Sequence, residues 1–136
     1  ILSFSADSLN GESVYKLTTS VKTNSLLDRF YEVRDEIQSW LNPRNFSLKR
    51  TVQTIREGSY LRDHTAYIQG DSILVWNDKT LKLSGPVYDP IAFIYYLRSQ
   101  DLSLGDSFKF LSVGGGKVKE VIINITKVEI TVCVKS

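Results

Sequence analysis

The sequence predicts a mainly β fold built on antiparallel strands, with one or two short helices. The first observation is the alternation of apolar and polar residues in segment after segment, which is typical of strands with one buried face. The second is a single helical pattern, at the start of residues 89–106, set among these segments. The third is the lack of a regular strand–helix–strand order, which argues against a doubly wound parallel sheet.

Length and composition fit one ordinary globular domain over residues 1–136. The 17 basic residues are scattered and offset by 15 acidic ones, so the net charge of +2 gives no basic stripe for nucleic acid. The longest apolar run, 90–97, is too short to span a bilayer. The chain lacks methionine and both its ends read as strands, which leaves open a trimmed product truncated at one or both ends.

The first half of the chain predicts two strands. Residues 13–23 alternate well, and Asn10-Gly11 before them is a turn signal. Residues 24–41 fit helical and strand spacing alike; we expect a short helical turn over 25–30 and a strand over 33–41. Pro43 ends it, because proline has no amide hydrogen for a β-ladder.

Residues 47–57 and 59–68 predict a hairpin, with Gly58 at the position that needs an unusual backbone angle. Two further short strands are expected over 72–76 and 80–83.

The helix has a clear start, since Asp89 is a good N-cap and Pro90 suits the first helical position. Its apolar residues leave little polar face, so it should be mostly buried. A strand over 107–111, a loose connection over 113–117 and one long or two shorter strands over 118–134 complete the prediction.

No catalytic or metal-binding set is recognisable. His64, the one histidine, shares a strand face with Arg62, which indicates a solvated face. Cys133 lies in an alternating apolar run, where cysteine acts as a small buried hydrophobe. The glycines before Lys117 lack the spacing and the strand-to-helix setting of a phosphate loop.

Acidic residues give no better case for catalysis. Asp35 and Glu36 have Arg29 and Arg34 as neighbours, so surface ion pairs are the expected explanation. We therefore expect no enzyme activity, no cofactor and no metal.

Aromatic residues are the remaining lead, because they can line a cavity for an apolar ligand. The alternative, which the pattern favours, is that they pack in the core and at the rim of a β domain. The candidate ligand-lining residues are Trp40, Tyr60, Tyr67, Trp76, Tyr95, Tyr96 and Arg98.

Several phrases, in their order and spacing, resemble the bacterial domain-of-unknown-function family 3108 (DUF3108). They are KTNS at 22–25, RFYEVRDEIQSW at 29–40, REGSY at 56–60, DPIAFIYYLR at 89–98, LGD at 104–106 and GGKV at 115–118. No single phrase is specific, but the ordered set is. The resemblance covers about residues 13–128 and departs at the ends, where strands are shortened before Asn10 and cut off or altered after Val128.

The resemblance implies an exported protein of the periplasm or outer cell envelope of a Gram-negative-type bacterium, made with a signal peptide. It also implies a strongly curved antiparallel sheet, similar to the half-open barrels of lipoprotein carriers. It brings no established activity and no catalytic residues.

Our leading expectation is a noncatalytic envelope protein that binds an apolar or lipid-linked ligand in the concave face of the sheet. The helix would flank the open side, with Tyr95, Tyr96 and Arg98 at its rim. The alternative is a structural or assembly subunit that joins an envelope protein partner by strand addition at a sheet edge. A hydrolase is the least favoured reading, since Asp35, His64 or Asp89 would have to converge with another polar group.

Overall fold

The computed structural model of the chain describes residues 2–114, 117–126 and 129–135, the last segment by its backbone. The described residues form ten strands, one α-helix and one turn of 3-10 helix, so the prediction of a mainly β fold is confirmed. The elements are β1 (Leu2–Leu9), β2 (Glu12–Lys22), the 3-10 turn (Leu27–Arg29), β3 (Arg34–Leu41), β4 (Leu48–Glu57), β5 (Tyr60–Gln69), β6 (Ile73–Trp76), β7 (Lys79–Lys82), α1 (Pro90–Arg98), β8 (Ser107–Gly114), β9 (Lys117–Thr126) and β10 (Glu129–Lys135).

Strands β1 to β7 form one antiparallel sheet in which every strand pairs with the next along the chain. Its tight turns use residues that accept a positive φ: Asn10-Gly11 between β1 and β2, and Gly58 between β4 and β5. The sheet is open within the described residues, with β1 and β7 as its edges, and no closed barrel is formed. The strong curvature expected for the sheet stays a prediction.

The register of the sheet decides which side chains share a face. One row of directly opposed residues carries small and apolar side chains, which are buried from β2 to β6, whereas its first member, on edge strand β1, is 41% exposed. This row is Phe4, Leu17, Ser39, Thr51, Ala66 and Trp76. We call this side the inner face. Trp40, Arg50 and Tyr67 oppose one another on the other side, the outer face.

Strands β8, β9 and β10 form a second antiparallel sheet, in the order β10-β9-β8. Residues 87–88 join it to the first sheet. The Val87 carbonyl accepts the Leu48 N–H at 2.8 Å, Val87 bridges Leu111, and the Tyr88 N–H donates to the Leu111 carbonyl at 2.8 Å. The segment after β7 thus fixes how the two sheets meet.

Helix α1 contributes to two apolar clusters. Ala92 belongs to a cluster with Leu17, Ala66 and other residues of the first sheet. Phe93 and Leu97 belong to a second cluster that includes residues of β8 and β9. The buried side chains of α1 are therefore shared between the two sheets.

Most predicted boundaries agree with the structure. Helix α1 begins at Pro90, after Asp89, which accepts the N–H groups of Ile91 and Ala92. The segment 118–134, predicted as one long or two shorter strands, contains two strands, β9 and β10. Strand β8 is longer than the expected 107–111. Cys133 lies in β10, but the prediction of its burial falls outside the described side chains, as the connection at 115–116 falls outside the described residues.

Candidate ligand-binding site

The connections of the first sheet alternate between its two ends, because successive strands run in opposite directions. One end carries the β1–β2 turn, the β3–β4 connection, the β5–β6 turn and the segment after β7. Residues from all four enclose a cavity of about 710 Å³, which we call the end cavity. Its size is within the range of small-molecule sites.

The end cavity combines an apolar floor with a polar rim. Leu48, Leu83 and Val87 are buried and line the floor. The rim carries amide, phenol and charged side chains, which fix polar groups rather than acyl chains. These rim residues are Asn10, Glu12, Asn42, Asn45, Lys49, Arg50, Tyr67 and Asp71.

Charge at the rim is partly compensated. Lys49 forms an ion pair with Glu12 at 3.1 Å. Arg50 has no carboxylate within ion-pair distance among the described residues, and its guanidinium lies 5.3 Å from the centre of the Trp40 ring. Arg50 is thus a cation that the cavity can offer to a ligand, oriented by an aromatic ring.

Trp40 is itself held in place on the outer face. Its indole N–H donates to Asp7 Oδ2 at 3.0 Å, and Lys16 lies 5.2 Å from its ring on the neighbouring strand. The Ser8 N–H and then the Trp40 N–H lower the pKa of Asp7 below its ordinary value. A charged Asp7 therefore anchors the ring on which Arg50 lies.

The β3–β4 connection, residues 42–47, forms one wall of the end cavity and contains a strained residue. Phe46 has a φ of 61°, a backbone region that bulky side chains rarely adopt. Hydrogen bonds enforce it: the Phe46 N–H donates to the Asn42 carbonyl, the Asn42 N–H to the Ser47 carbonyl, and the Ser47 N–H to Asn45 Oδ1. Asn45 and Ser47 line the cavity, whereas the Phe46 ring packs in a separate aromatic group.

That group, the aromatic cluster, consists of Phe4, Tyr15, Phe46, Tyr95 and Tyr96. The Phe46 ring lies 5.6 Å from Phe4, 5.6 Å from Tyr15 and 5.9 Å from Tyr96. Phe4 also lies 6.1 Å from Tyr95 and is 41% exposed. The cluster therefore joins edge strand β1 to α1 and reaches solvent on that side.

The seven predicted ligand-lining residues do not gather in one place. Tyr67 alone lines the end cavity, with Trp40 beside it on the outer face. Tyr95 and Tyr96 belong to the aromatic cluster, and the Arg98 guanidinium lies 5.6 Å from the Tyr95 ring. Trp76 is part of the buried core, and Tyr60 lies at the tip of the β4–β5 hairpin. Their role in ligand binding stays a prediction.

Sequence reasoning missed several residues that the structure brings forward. Arg50 and Leu83 line the end cavity, and Phe4, Tyr15 and Phe46 complete the aromatic cluster. The sequence contained one signal for Phe46. Asn42-Pro43 and Asn45 predict a turn, and the position of the Phe46 ring depends on that turn.

The three residues of the hydrolase reading lie in different hydrogen-bond networks. Asp89 caps α1 and accepts the Ser39 Oγ–H at 3.4 Å, and burial raises its pKa. His64 is 3.1 Å from Asn77 Nδ2 and stacks on the Trp76 ring. His64 lies on the inner face together with the exposed Arg62 and is itself partly exposed. Asp35 accepts the Arg56 N–H at 2.9 Å.

The expected ion pairing of Asp35 and Glu36 with neighbouring arginines is wrong. Arg34 instead binds Asp28, with Nη2 and Oδ2 2.6 Å apart. Hydrogen bonds from Arg34 and then Thr23 lower the pKa of Asp28. This pairing closes the connection from β2 to β3.

Within residues 2–114, 117–126 and 129–135, no group of three or more potential ligands is arranged to hold a metal ion. Over the same residues, no helix has the length and apolar character to cross a membrane.

The fold and the cavity define a class: a β protein of two antiparallel sheets and one helix, with a polar-rimmed cavity at one end of the larger sheet. A family model described as "Protein of unknown function (DUF3108)" matches residues 1–132. The chain belongs to this family. The match extends past the expected residues 13–128 at both ends, and the departures expected there stay a prediction. No significant match was found among curated proteins or among solved structures.

Proposed function

We propose that the protein is a noncatalytic binding protein of the bacterial cell envelope, and that the end cavity holds an amphiphilic, lipid-linked ligand. The observation that carries this proposal is the pairing of a buried apolar floor with a polar rim in about 710 Å³. Such a cavity suits a molecule with an apolar part and a polar head, because each part meets matching chemistry.

The rim residues indicate the chemistry of the ligand's polar head. Arg50 has no carboxylate partner among the described residues and can donate two parallel hydrogen bonds to a phosphate or carboxylate. Tyr67 and the amides of Asn42 and Asn45 can hydrogen-bond its other oxygens. Leu48, Leu83 and Val87 would contact the apolar part.

The location in the periplasm or outer envelope is the part of the proposal that depends on the resemblance to exported proteins. It fits a lipid-linked ligand, since such molecules are made for and held in membranes.

Gly85 offers a direct test, because it lines the end cavity and a Cβ added there meets no atom within 4 Å. The Gly85→Leu variant should therefore fill part of the cavity without backbone strain. Ser84→Leu is the matched control, since it adds a leucine at a neighbouring exposed residue that does not line the cavity.

The measurement is native mass spectrometry of protein purified from the envelope fraction of an expressing bacterium, followed by lipid extraction. The native chain and Ser84→Leu should carry a lipid that Gly85→Leu has lost. Arg50→Gln should also lose the lipid. Its control is Arg44→Gln, which should retain the lipid because Arg44 lies on the β3–β4 connection but does not line the end cavity. Equal lipid in all variants, or none in the native chain, would refute the proposal.

One observation favours a second candidate, an assembly subunit joined by strand addition. β1 is an outer edge of the larger sheet, and seven of its eight residues are exposed. Edges of this kind can pair with a strand from a partner. Light scattering of purified protein separates the two functions: a monomer with lipid favours binding, and an obligate complex favours assembly.

A further inference from the structure

The charged side chains that line the end cavity indicate the charge of its ligand. Among the described residues, two of them are basic, Lys49 and Arg50, and two are acidic, Glu12 and Asp71. Lys49 and Glu12 form an ion pair at 3.1 Å at the rim. Neither Arg50 nor Asp71 takes part in an ion pair among the described residues. The cavity therefore offers a ligand one cation and one carboxylate.

A β-bulge brings both basic side chains to the cavity. The register of β3 and β4 shifts after Trp40, which pairs with Arg50. Leu41 pairs with Leu48, so Lys49 is an extra residue of β4. Consecutive side chains of a regular strand point to opposite faces, and a bulge re-aims them. Here residues 48, 49 and 50 all line the end cavity. Lys49 is held in its ion pair, and Arg50 remains for a ligand.

Asp71 lies on the β5–β6 turn, which is fixed at the rim of the cavity. The Leu83 N–H donates to the Ser72 carbonyl at 2.7 Å and ties this turn to the segment after β7. Gly70, with a φ of 63°, allows the tight change of direction just before Asp71. Asp71 is exposed and lines the cavity, so its carboxylate is accessible to the polar end of a ligand.

Arg50 and Asp71 lie near enough for one head group to contact both. Tyr67 is directly opposite Arg50 in the register, and Asp71 follows Tyr67 by four residues. At about 3.3 Å per residue along the chain, the Cα atoms of Arg50 and Asp71 are at most about 15 Å apart. Both side chains line the same cavity, and the arginine side chain is long. A head with two charges a few atoms apart fits between them.

We propose that the end cavity selects a zwitterionic head group, with a phosphate bound by Arg50 and an ammonium bound by Asp71. This rests on the proposed function, because it names the head of the ligand held in the same cavity. A purely anionic head would leave Asp71 without a partner and beside a like charge, and a purely cationic head would do the same to Arg50. A zwitterion pairs with both, and its zero net charge matches that of the four charged lining residues.

The test compares two soluble lipids that share short acyl chains and a phosphodiester and differ at one end of the head. Dihexanoylphosphatidylethanolamine carries an ammonium there, and dihexanoylphosphatidylglycerol carries hydroxyl groups. In isothermal titration calorimetry, the full chain should bind the ethanolamine lipid about threefold to fivefold more tightly than the glycerol lipid. This is the upper range for one ion pair that is open to solvent.

Four variants test the charges one at a time. Asp71→Asn should bind the two lipids equally, because it keeps the shape of the side chain and removes its charge. Asp78→Asn is the matched control and should keep the native preference, since Asp78 is an exposed aspartate outside the cavity lining. Arg50→Gln should weaken both lipids about tenfold and keep their ratio, because both carry the phosphate. Glu12→Gln should shift the preference towards the glycerol lipid, because it frees Lys49 as a second cation. Thermal unfolding of each variant checks that the fold is kept.

A third ligand, glycerophosphoethanolamine, has the zwitterionic head without acyl chains. It should bind at least about tenfold more weakly than the ethanolamine lipid, because it gives the apolar floor nothing to bury. Equal affinity that still depends on Asp71 would support the zwitterionic head and refute the lipid-linked ligand of the proposed function. Equal affinity of the native chain for the two lipids, or a preference that survives in Asp71→Asn, would overturn the zwitterionic head and leave lipid binding in place. Binding of none of the three ligands would overturn both.

Discussion

Asp89 connects α1 to the inner face, and its replacement should separate a capping role from a charge role. Its Oδ1 accepts the N–H groups of Ile91 at 2.8 Å and Ala92 at 3.2 Å. Asp89→Asn keeps an acceptor of similar shape, and asparagine caps helices about as well as aspartate. Asp89→Ala leaves two N–H donors of the first turn without their acceptor. The loss of this cap should cost about 1–2 kcal/mol in the free energy of unfolding.

The pH dependence adds a second, independent outcome. Burial raises the pKa of Asp89 above 3.8, so the folded protein keeps this proton at pH values where the unfolded chain has lost it. Folding stability from this group is therefore greatest below the unfolded pKa and falls as pH rises toward the folded pKa. Asp89→Asn cannot ionise and should lack this decline, so the native chain should lose stability relative to Asp89→Asn between acidic and neutral pH.

Urea denaturation of the native chain and the two variants, at acidic and at neutral pH, gives both results. Asp101→Asn controls for the loss of one negative charge, because Asp101 is exposed. The reasoning is refuted if Asp89→Asn costs as much as Asp89→Ala at neutral pH, or if Asp89→Asn follows the pH profile of the native chain.

Two further predictions concern strained or crowded backbone. Gly58 has a φ of 60°, and a Cβ there would lie 2.6 Å from Tyr31 Cε2, so Gly58→Ala should cost about 1–3 kcal/mol in urea denaturation. Part of that cost should vanish in a Tyr31→Ala background, and full additivity would contradict the contact. Phe46→Gly should be about 1 kcal/mol more stable than Phe46→Ala, the reverse of the usual order, because φ is 61° at this residue; the usual order in thermal unfolding would exclude strain there.

The strands were predictable because local pattern and long-range pairing agree in them. Residues 13–23 alternate in the sequence, and β2 occupies Glu12–Lys22 with Tyr15 and Leu17 on the inner face, although Val14, on the other face, is buried as well. The start of α1 was predictable for the same reason, since Asp89 and Pro90 satisfy the first turn whatever the helix packs against.

The cavity was not predictable, because its wall comes from connections that are distant in sequence. Leu9, Asn45, Gly70 and Gly85 are brought together by the pairing of β1 to β7, which no local pattern specifies. Trp76 illustrates the limit for single residues. An aromatic in an alternating strand gives the same pattern whether its ring faces a cavity or, as here, a packed core.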